Sequence, residues 1–194
     1  MIRQDAVSQV MSLTAVMIVV YLSTFQQGVT ILFPAVLLIS GITLQFYLQR
    51  RYETDFSIDG EEAKNIMYYA LIGLAFIAIG GVLAPKLWQP VQRMQLTGMD
   101  QLLYSMLIAV SEEQFFRGAL FNWLLESLPA AALAIVGSAL IFVVYHFAIY
   151  QTNFSNLTYV FVGGVALAWI DYRTQRLSPS VLAHVLNNFL AVVV

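Results

Sequence analysis

The spacing of the charged residues constrains the fold of this chain more than any other feature. Two stretches of 44 residues each, 6–49 and 127–170, contain no Asp, Glu, Lys or Arg. Because a hydrocarbon core of about 30 Å takes about 20 helical residues to cross, each stretch is long enough for two membrane spans joined by a turn. Only 10% of the residues are charged and 60% are hydrophobic. An average soluble domain has about 25% charged and about 45–50% hydrophobic residues. The pattern predicts an integral membrane protein.

The apolar stretches between charged segments predict seven helical spans. Helices are expected rather than strands because lipid offers no partner for an open backbone and because strand-like alternation is absent. The predicted fold class is an all-α, polytopic transmembrane helical bundle of about seven spans, with residues 1–194 forming a single domain whose motif-bearing core is 101–194. Two glycine pairs, Gly80-Gly81 and Gly163-Gly164, predict close helix packing. The predicted spans are 8–25, 29–48, 65–84, 101–125, 130–149, 155–171 and 178–193.

The remaining charges indicate orientation and exclude several classes of function. Six basic residues fall in segments on the side of the N-terminus and two on the other side, which favours an N-terminus inside the cell. The protein is therefore expected to be multi-pass, in the cell membrane if it is prokaryotic, with membrane lipid as a partner. A net charge of −2 gives no basic surface for nucleic acid, and the absence of cysteine excludes disulfides and thiolate zinc sites. The oligomeric state stays open.

Three ionisable residues lie inside the fourth predicted span, whereas elsewhere the charged residues lie between the spans or at their ends. Glu112, Glu113 and Arg117 each cost about 2.5–3.5 kcal/mol at the centre of a bilayer on insertion scales, so they are expected to face the protein interior or a wet cavity. Glu113 and Arg117 have the favourable i, i+4 order for a helical ion pair. Glu112 points about 100° away around the helix and is left as the free carboxylate.

Both histidines of the chain also lie inside predicted spans. Phe142 precedes His146 by one helical turn, and His184 precedes Asn188 by one turn, so that each pair shares a face. A carboxylate and an imidazole can activate water, while a second imidazole and an amide can donate to a developing oxyanion. Alternatively, Glu112, His146 and His184 match the ligand set of a catalytic zinc with an open water position. Both interpretations predict hydrolysis by water, with a divalent metal such as zinc or with no cofactor.

A shared site makes a demand on the helix boundaries. His146 lies late in its span and His184 early in a span that runs the same way, which separates them by about six to nine residues in depth, or about 9–14 Å. We therefore expect the fifth helix to start later and run past Tyr150, or the last helix to begin before residue 178.

Three motifs in this region resemble those of a known family. EEQFFR, from Glu112 to Arg117, resembles the EExxxR motif of the CPBP family, which contains the CAAX proteases and bacteriocin-processing enzymes. FVVYH, ending at His146, resembles the FxxxH motif, and HVLNN, beginning at His184, resembles the HxxxN motif. The motifs occur in the order of the family, each on a separate helix. The resemblance implies an intramembrane endopeptidase acting on prenylated or other membrane-associated proteins, and some prokaryotic members are linked to bacteriocin self-immunity.

The resemblance also implies roles for individual residues. Glu112 with His146 would activate the attacking water, and His184 with Asn188 would stabilise the oxyanion. The family is often called a metalloprotease, with Glu112, His146 and His184 as the candidate metal ligands here, but a metal-free glutamate mechanism has also been argued. The prenyl endopeptidase has eight spans and seven are expected here, so substrate access is in question. The residues implied to support the site are Glu113, Arg117 and Phe142.

Two other functions stay open at this point. Chains of Glu and His inside membranes also relay protons, as in a proton- or ion-coupled transporter, although the sequence has no inverted repeat and no paired broken helices. A non-catalytic immunity or scaffold protein of the same fold is expected to have lost a motif residue, and none is lost here. A purely structural network of ion pairs and interhelical hydrogen bonds leaves Glu112 without a role.

Overall fold

The computed structural model describes residues 32–47, 59–87 and 99–193, and all regular structure within these ranges is helical. The predicted all-α class is therefore confirmed for the described part of the chain. In chain order the elements are α1 (Leu32–Tyr47), α2 (Gly60–Leu87), α3 (Met99–Glu113), a π segment (Gln114–Phe121), α4 (Asn122–Ser127), α5 (Ala131–Tyr150), α6 (Phe154–Thr174) and α7 (Ser178–Val193).

Six of the seven predicted spans coincide with these elements, and the first, 8–25, lies outside the described residues. Three helices, α2, α5 and α6, are long and apolar enough to cross a membrane, and α1 contains a shorter apolar stretch, Pro34–Gln45. An integral membrane protein is thus supported by three spans within the described ranges. The total of seven spans stays a prediction.

The fourth predicted span is not the regular helix expected over 101–125. At Glu113 the α-helix gives way to the eight-residue π segment, and α-helical geometry resumes at Asn122. The widened turn is stabilised by the Asn122 side-chain amide, which donates to the carbonyls of Arg117 at 2.9 Å and Gly118 at 3.1 Å. Hydrophobic periodicity could not reveal the change because seven of the eight residues are buried, which leaves no polar face to define a period. π-Helical turns occur frequently at functional sites.

Helix α6 is the most enclosed of the three candidate spans. Of its apolar stretch 61% is buried, against 33% for α5 and 22% for α2, and it packs directly against both of them. A Cβ placed on Gly164 would lie 3.1 Å from the Ala139 Cβ, and one on Gly80 would lie 2.9 Å from a Val162 methyl. The close packing predicted for the glycine pairs is therefore confirmed at these two positions.

Helix α1 packs against the π segment, and the two backbones approach closely there. A Cβ on Gly41 would lie 2.9 Å from both the Cα and the backbone N of Phe115. One turn further along α1, Gln45 accepts a hydrogen bond of 2.5 Å from the Gln114 side-chain amide. These contacts fix the chain immediately after the two neighbouring carboxylates, while α7 packs against α2 and α3 from another side.

The outward faces of α2 and α5 carry large exposed apolar side chains. In water such a surface would be unfavourable, but in a hydrocarbon environment it is the expected lipid-facing surface. Examples are Leu71, Phe76, Val82 and Leu83 on α2, and Leu140 and Val144 on α5.

Candidate active site

The carboxylate of Glu112 lies at the centre of the site, at the end of α3. Its side chain is buried, and each of its two oxygens faces a different imidazole. The Nε2 atom of His146 lies 3.9 Å from Oε1, and the Nε2 atom of His184 lies 3.7 Å from Oε2. The sequence motifs thus converge in space: α3, α5 and α7 each contribute one of the three groups.

The convergence occurs without the predicted shift of the helix ends. Helix α5 ends at Tyr150 and α7 begins at Ser178, so the expectation that one of them extends further was wrong. The depth estimate assumed that the two helices start at one level and stand upright. Both histidines lie near the carboxylate of Glu112, so this assumption is wrong. The relative placement of the two helices removes the predicted difference in depth between the histidines.

The backbone of α5 orients His146. Its Nδ1 atom lies 3.0 Å from the carbonyl oxygen of Phe142, one turn earlier. Because a carbonyl only accepts, Nδ1 carries the proton in this contact, and the Nε2 atom of the neutral ring has a lone pair. The Phe142 ring meets the imidazole edge-on at 4.3 Å, and Tyr150 stacks on it at 5.9 Å. Held in this way, His146 presents an acceptor nitrogen to Glu112.

A carboxylate rather than a carbonyl orients His184. Its Nδ1 atom lies 2.7 Å from Oε1 of Glu113, and the same oxygen accepts a hydrogen bond of 3.1 Å from Arg117. The i, i+4 ion pair between Glu113 and Arg117 is therefore confirmed, and both side chains are fully buried. The sequence did not predict that Glu113 also holds His184. The side chains of four residues thus lie in sequence, each next to the following one, from Arg117 through Glu113 and His184 to Glu112.

Arg117 is held at the centre of the bundle by two further contacts. Its guanidinium donates to the carbonyl of Gly164 at 3.4 Å and lies over the face of the Phe142 ring at 4.3 Å. A cation above an aromatic face is stabilised most when water is excluded. Phe142 thus contacts the site through both Arg117 and His146, as expected for a supporting residue.

The side chain of Asn188 joins α7 to α3. Its Nδ2 atom donates to the carbonyl of Ser105 at 3.1 Å, and its Oδ1 accepts from Asn187 at 3.4 Å. The neighbouring Asn187 accepts a hydrogen bond of 2.6 Å from the Tyr159 hydroxyl on α6. Of the predicted catalytic residues, both histidines thus lie within 3.9 Å of the Glu112 carboxylate, whereas the Asn188 side chain is bonded to the α3 backbone.

The predicted metal ligands do not fit a zinc site as they stand. Two ligands of a tetrahedral zinc lie about 3.3 Å apart, given metal–ligand distances of about 2.0–2.1 Å. The distances from Glu112 to the nitrogens of His146 and His184 are longer, at 3.9 and 3.7 Å. Among the described residues no group of three or more His, Asp or Glu side chains is arranged to hold a metal ion.

Two further buried polar residues lie near the site. Tyr145 is 1% exposed and packs beside His146. Asp171, expected at a span end, is 2% exposed within α6 and interacts electrostatically with Glu113 and Arg117. One sequence signal could have found Asp171: it follows Gly164 by seven residues, which places both on one face of the helix.

Comparison with protein families identifies the chain. Residues 95–190 match the family model described as "Type II CAAX prenyl endopeptidase Rce1-like". This range contains α3, the π segment, α4, α5, α6 and most of α7, and therefore the whole candidate site. Comparison with curated proteins and with solved structures finds no match. This match supports membership of the CAAX protease (CPBP) family for residues 95–190, the part of the chain that holds the candidate site.

Proposed function

We propose that this protein is a multi-pass intramembrane endopeptidase that hydrolyses a peptide bond of a membrane-associated substrate. The observation that carries the proposal is the arrangement of nitrogens around Glu112. Each imidazole uses Nδ1 for a partner behind it and directs Nε2 at one oxygen of the carboxylate. A buried carboxylate between two oriented rings thus supports the proposal.

Glu112 and His146 are the proposed activators of water. Their separation of 3.9 Å exceeds the range of a direct hydrogen bond and suits a water molecule between them. Such a water donates one hydrogen to Oε1 of Glu112 and the other to Nε2 of His146, which directs an oxygen lone pair at the substrate carbonyl carbon. As the carbon–oxygen bond forms, Glu112 takes the proton.

His184 is the proposed stabiliser of the oxyanion. Glu113 lies behind it at 2.7 Å, so the negative charge of the carboxylate stabilises an imidazolium, and Nε2–H of that imidazolium donates to the oxyanion. His146 has only a neutral carbonyl behind it and therefore accepts rather than donates. The partners at Nδ1 thus give the two histidines different roles.

Asn188 is the proposed second donor to the oxyanion. A side-chain amide has two N–H groups, and the hydrogen bond to the Ser105 carbonyl uses one of them. The other N–H is the group we assign to the oxyanion. The contact with Ser105 fixes the amide plane and so supports the assignment.

Proton transfer completes the cycle. Glu112 returns its proton to the amide nitrogen, the carbon–nitrogen bond breaks, and the tetrahedral oxyanion collapses to a carboxylic acid. Glu112 is then ionised again and ready for the next water. No step requires a metal ion.

The proposed substrate is a polypeptide held in or at the membrane, and a prenylated peptide is the first candidate because the matched family model is described as a prenyl endopeptidase. The lipid-facing faces of α2 and α5 are consistent with a substrate that arrives through the bilayer.

A cleavage assay tests the proposal. The full chain in proteoliposomes is incubated with quenched fluorescent peptides that differ only in the presence of a prenyl group. We expect Glu112→Gln to lower kcat by at least about a thousandfold, since it removes the base. Glu61→Gln is the matched control, because that carboxylate is exposed and should leave kcat unchanged. Substantial cleavage by Glu112→Gln would refute the assignment of the base, and cleavage of neither peptide by the native chain would refute the protease function.

A further inference from the structure

Glu112 needs a hydrogen-bond donor that the two imidazoles do not supply. A buried carboxylate is stable as the anion only when hydrogen-bond donors or positive charges face it. The Nε2 atom of His146 is an acceptor, because its Nδ1–H is directed at Phe142. The Nε2 atom of His184 lies 3.7 Å from Oε2 of Glu112, beyond the range of a direct hydrogen bond. Neither imidazole therefore donates a direct hydrogen bond to the carboxylate.

Tyr145 is positioned to be that donor. It immediately precedes His146 on α5, and its buried hydroxyl lies close enough to the Glu112 carboxylate to interact with it. The ring is 1% exposed and is enclosed by other rings. It contacts Phe116 at 5.1 Å, Phe142 at 6.2 Å in a stacked arrangement, and His146 edge-on at 4.9 Å. Because its ring is fixed on three sides, its hydroxyl oxygen has a defined position, from which the hydrogen can turn toward an acceptor.

We infer that Tyr145 is a positioning residue that donates its hydroxyl hydrogen to one oxygen of Glu112 and leaves the other oxygen to receive the proton of water. The inference rests on the proposed function of Glu112 as the base. It gives a buried phenol the partner that such groups normally have. It also distinguishes the two carboxylate oxygens, one for holding the side chain and one for chemistry.

The activity test uses two matched substitutions. Tyr145→Phe removes the hydroxyl and keeps the ring. Tyr68→Phe makes the same change at a ring of α2 that is 60% exposed. We expect Tyr145→Phe to lower kcat by about 10- to 100-fold, the range for losing one hydrogen bond to a charged group, with KM within about twofold. Tyr68→Phe should change kcat by less than about threefold.

A spectroscopic test does not depend on activity. The full chain is prepared with 3-fluorotyrosine at position 145 or at position 68, each with Glu112 intact and with Glu112→Gln, and its ¹⁹F resonances are recorded. We expect the resonance at position 145 to move on Glu112→Gln and the one at position 68, on the exposed face of α2, to move much less.

The outcomes separate the inference from the proposed function. An unmoved resonance at position 145, or equal losses of kcat in the two Tyr→Phe variants, would overturn the role of Tyr145. If the native chain cleaves no peptide but the resonance at position 145 moves, the contact with Glu112 stands and the protease function fails.

Discussion

The buried ion pair between Glu113 and Arg117 allows the stability of the site to be separated from its chemistry. Both side chains are 0% exposed, and Nη1 lies 3.1 Å from Oε1. Removing one partner of such a pair leaves a charge in a low-dielectric interior, which typically costs about 3–5 kcal/mol, whereas removing both leaves no unpaired charge. Glu113→Gln and Arg117→Met each remove one charge at nearly constant shape.

We expect each single substitution to lower the free energy of unfolding by about 3–5 kcal/mol, or the Tm by roughly 6–20 °C for a chain of this size. With both charges of the pair removed, neither is left buried without its partner. The double variant should therefore lose less unfolding free energy than either single variant. Its kcat should nevertheless stay as low as that of Glu113→Gln, because a neutral amide does not stabilise the His184 imidazolium needed at the oxyanion.

The measurement is thermal unfolding in detergent, followed by circular dichroism, together with the cleavage assay on each variant. Lys64→Met is the surface control: its ion pair with Glu61 is 74–80% exposed and should contribute less than about 1 kcal/mol. The reasoning fails if the single variants are no less stable than Lys64→Met, or if the double variant loses the sum of the two single losses. A double variant that recovers full activity would contradict the role given to Glu113.

Three further predictions concern the surroundings of the site. Gly41→Ala places a methyl 2.9 Å from the backbone of Phe115 and should lower the free energy of unfolding by about 1–3 kcal/mol. Gly60→Ala is the control and should not lower it, because no atom lies within 4 Å of the added methyl. Equal effects of the two substitutions would argue against a close contact between α1 and Phe115. Activity should survive metal-free purification and a chelator, because the candidate ligands are not arranged as a metal site; loss that zinc restores would reverse that conclusion. Tyr159→Phe and Asn187→Ala each break the same 2.6 Å hydrogen bond and should each cost about 0.6 kcal/mol of unfolding free energy. The double variant should cost no more than either single variant, and additive losses would contradict a single shared bond.

The helices and the ion pair were predictable because they depend on neighbouring residues in the chain. The charge-free stretch 127–170 contains most of the two candidate spans α5 and α6, and the i, i+4 spacing identified the ion pair of Glu113 with Arg117. The π segment was not predictable, because a stretch that is buried on nearly all sides has no face from which to recognise a change of helical period. The close approach of Gly41 was not predicted either, since the importance of a glycine depends on what packs against it.

The sequence by itself determined that this is a helical protein with membrane-spanning segments and that three charges in one predicted span, with two histidines, form its candidate site. Composition and local spacing carry that information because the cost of burying a charge in lipid acts on each helix separately. Only the tertiary structure decided which atoms meet: both Nε2 atoms at Glu112, Glu113 behind His184, and Tyr145 beside the carboxylate. These contacts depend on the level and inclination of packed helices and on side-chain rotamers, which the periodicity of one helix does not encode.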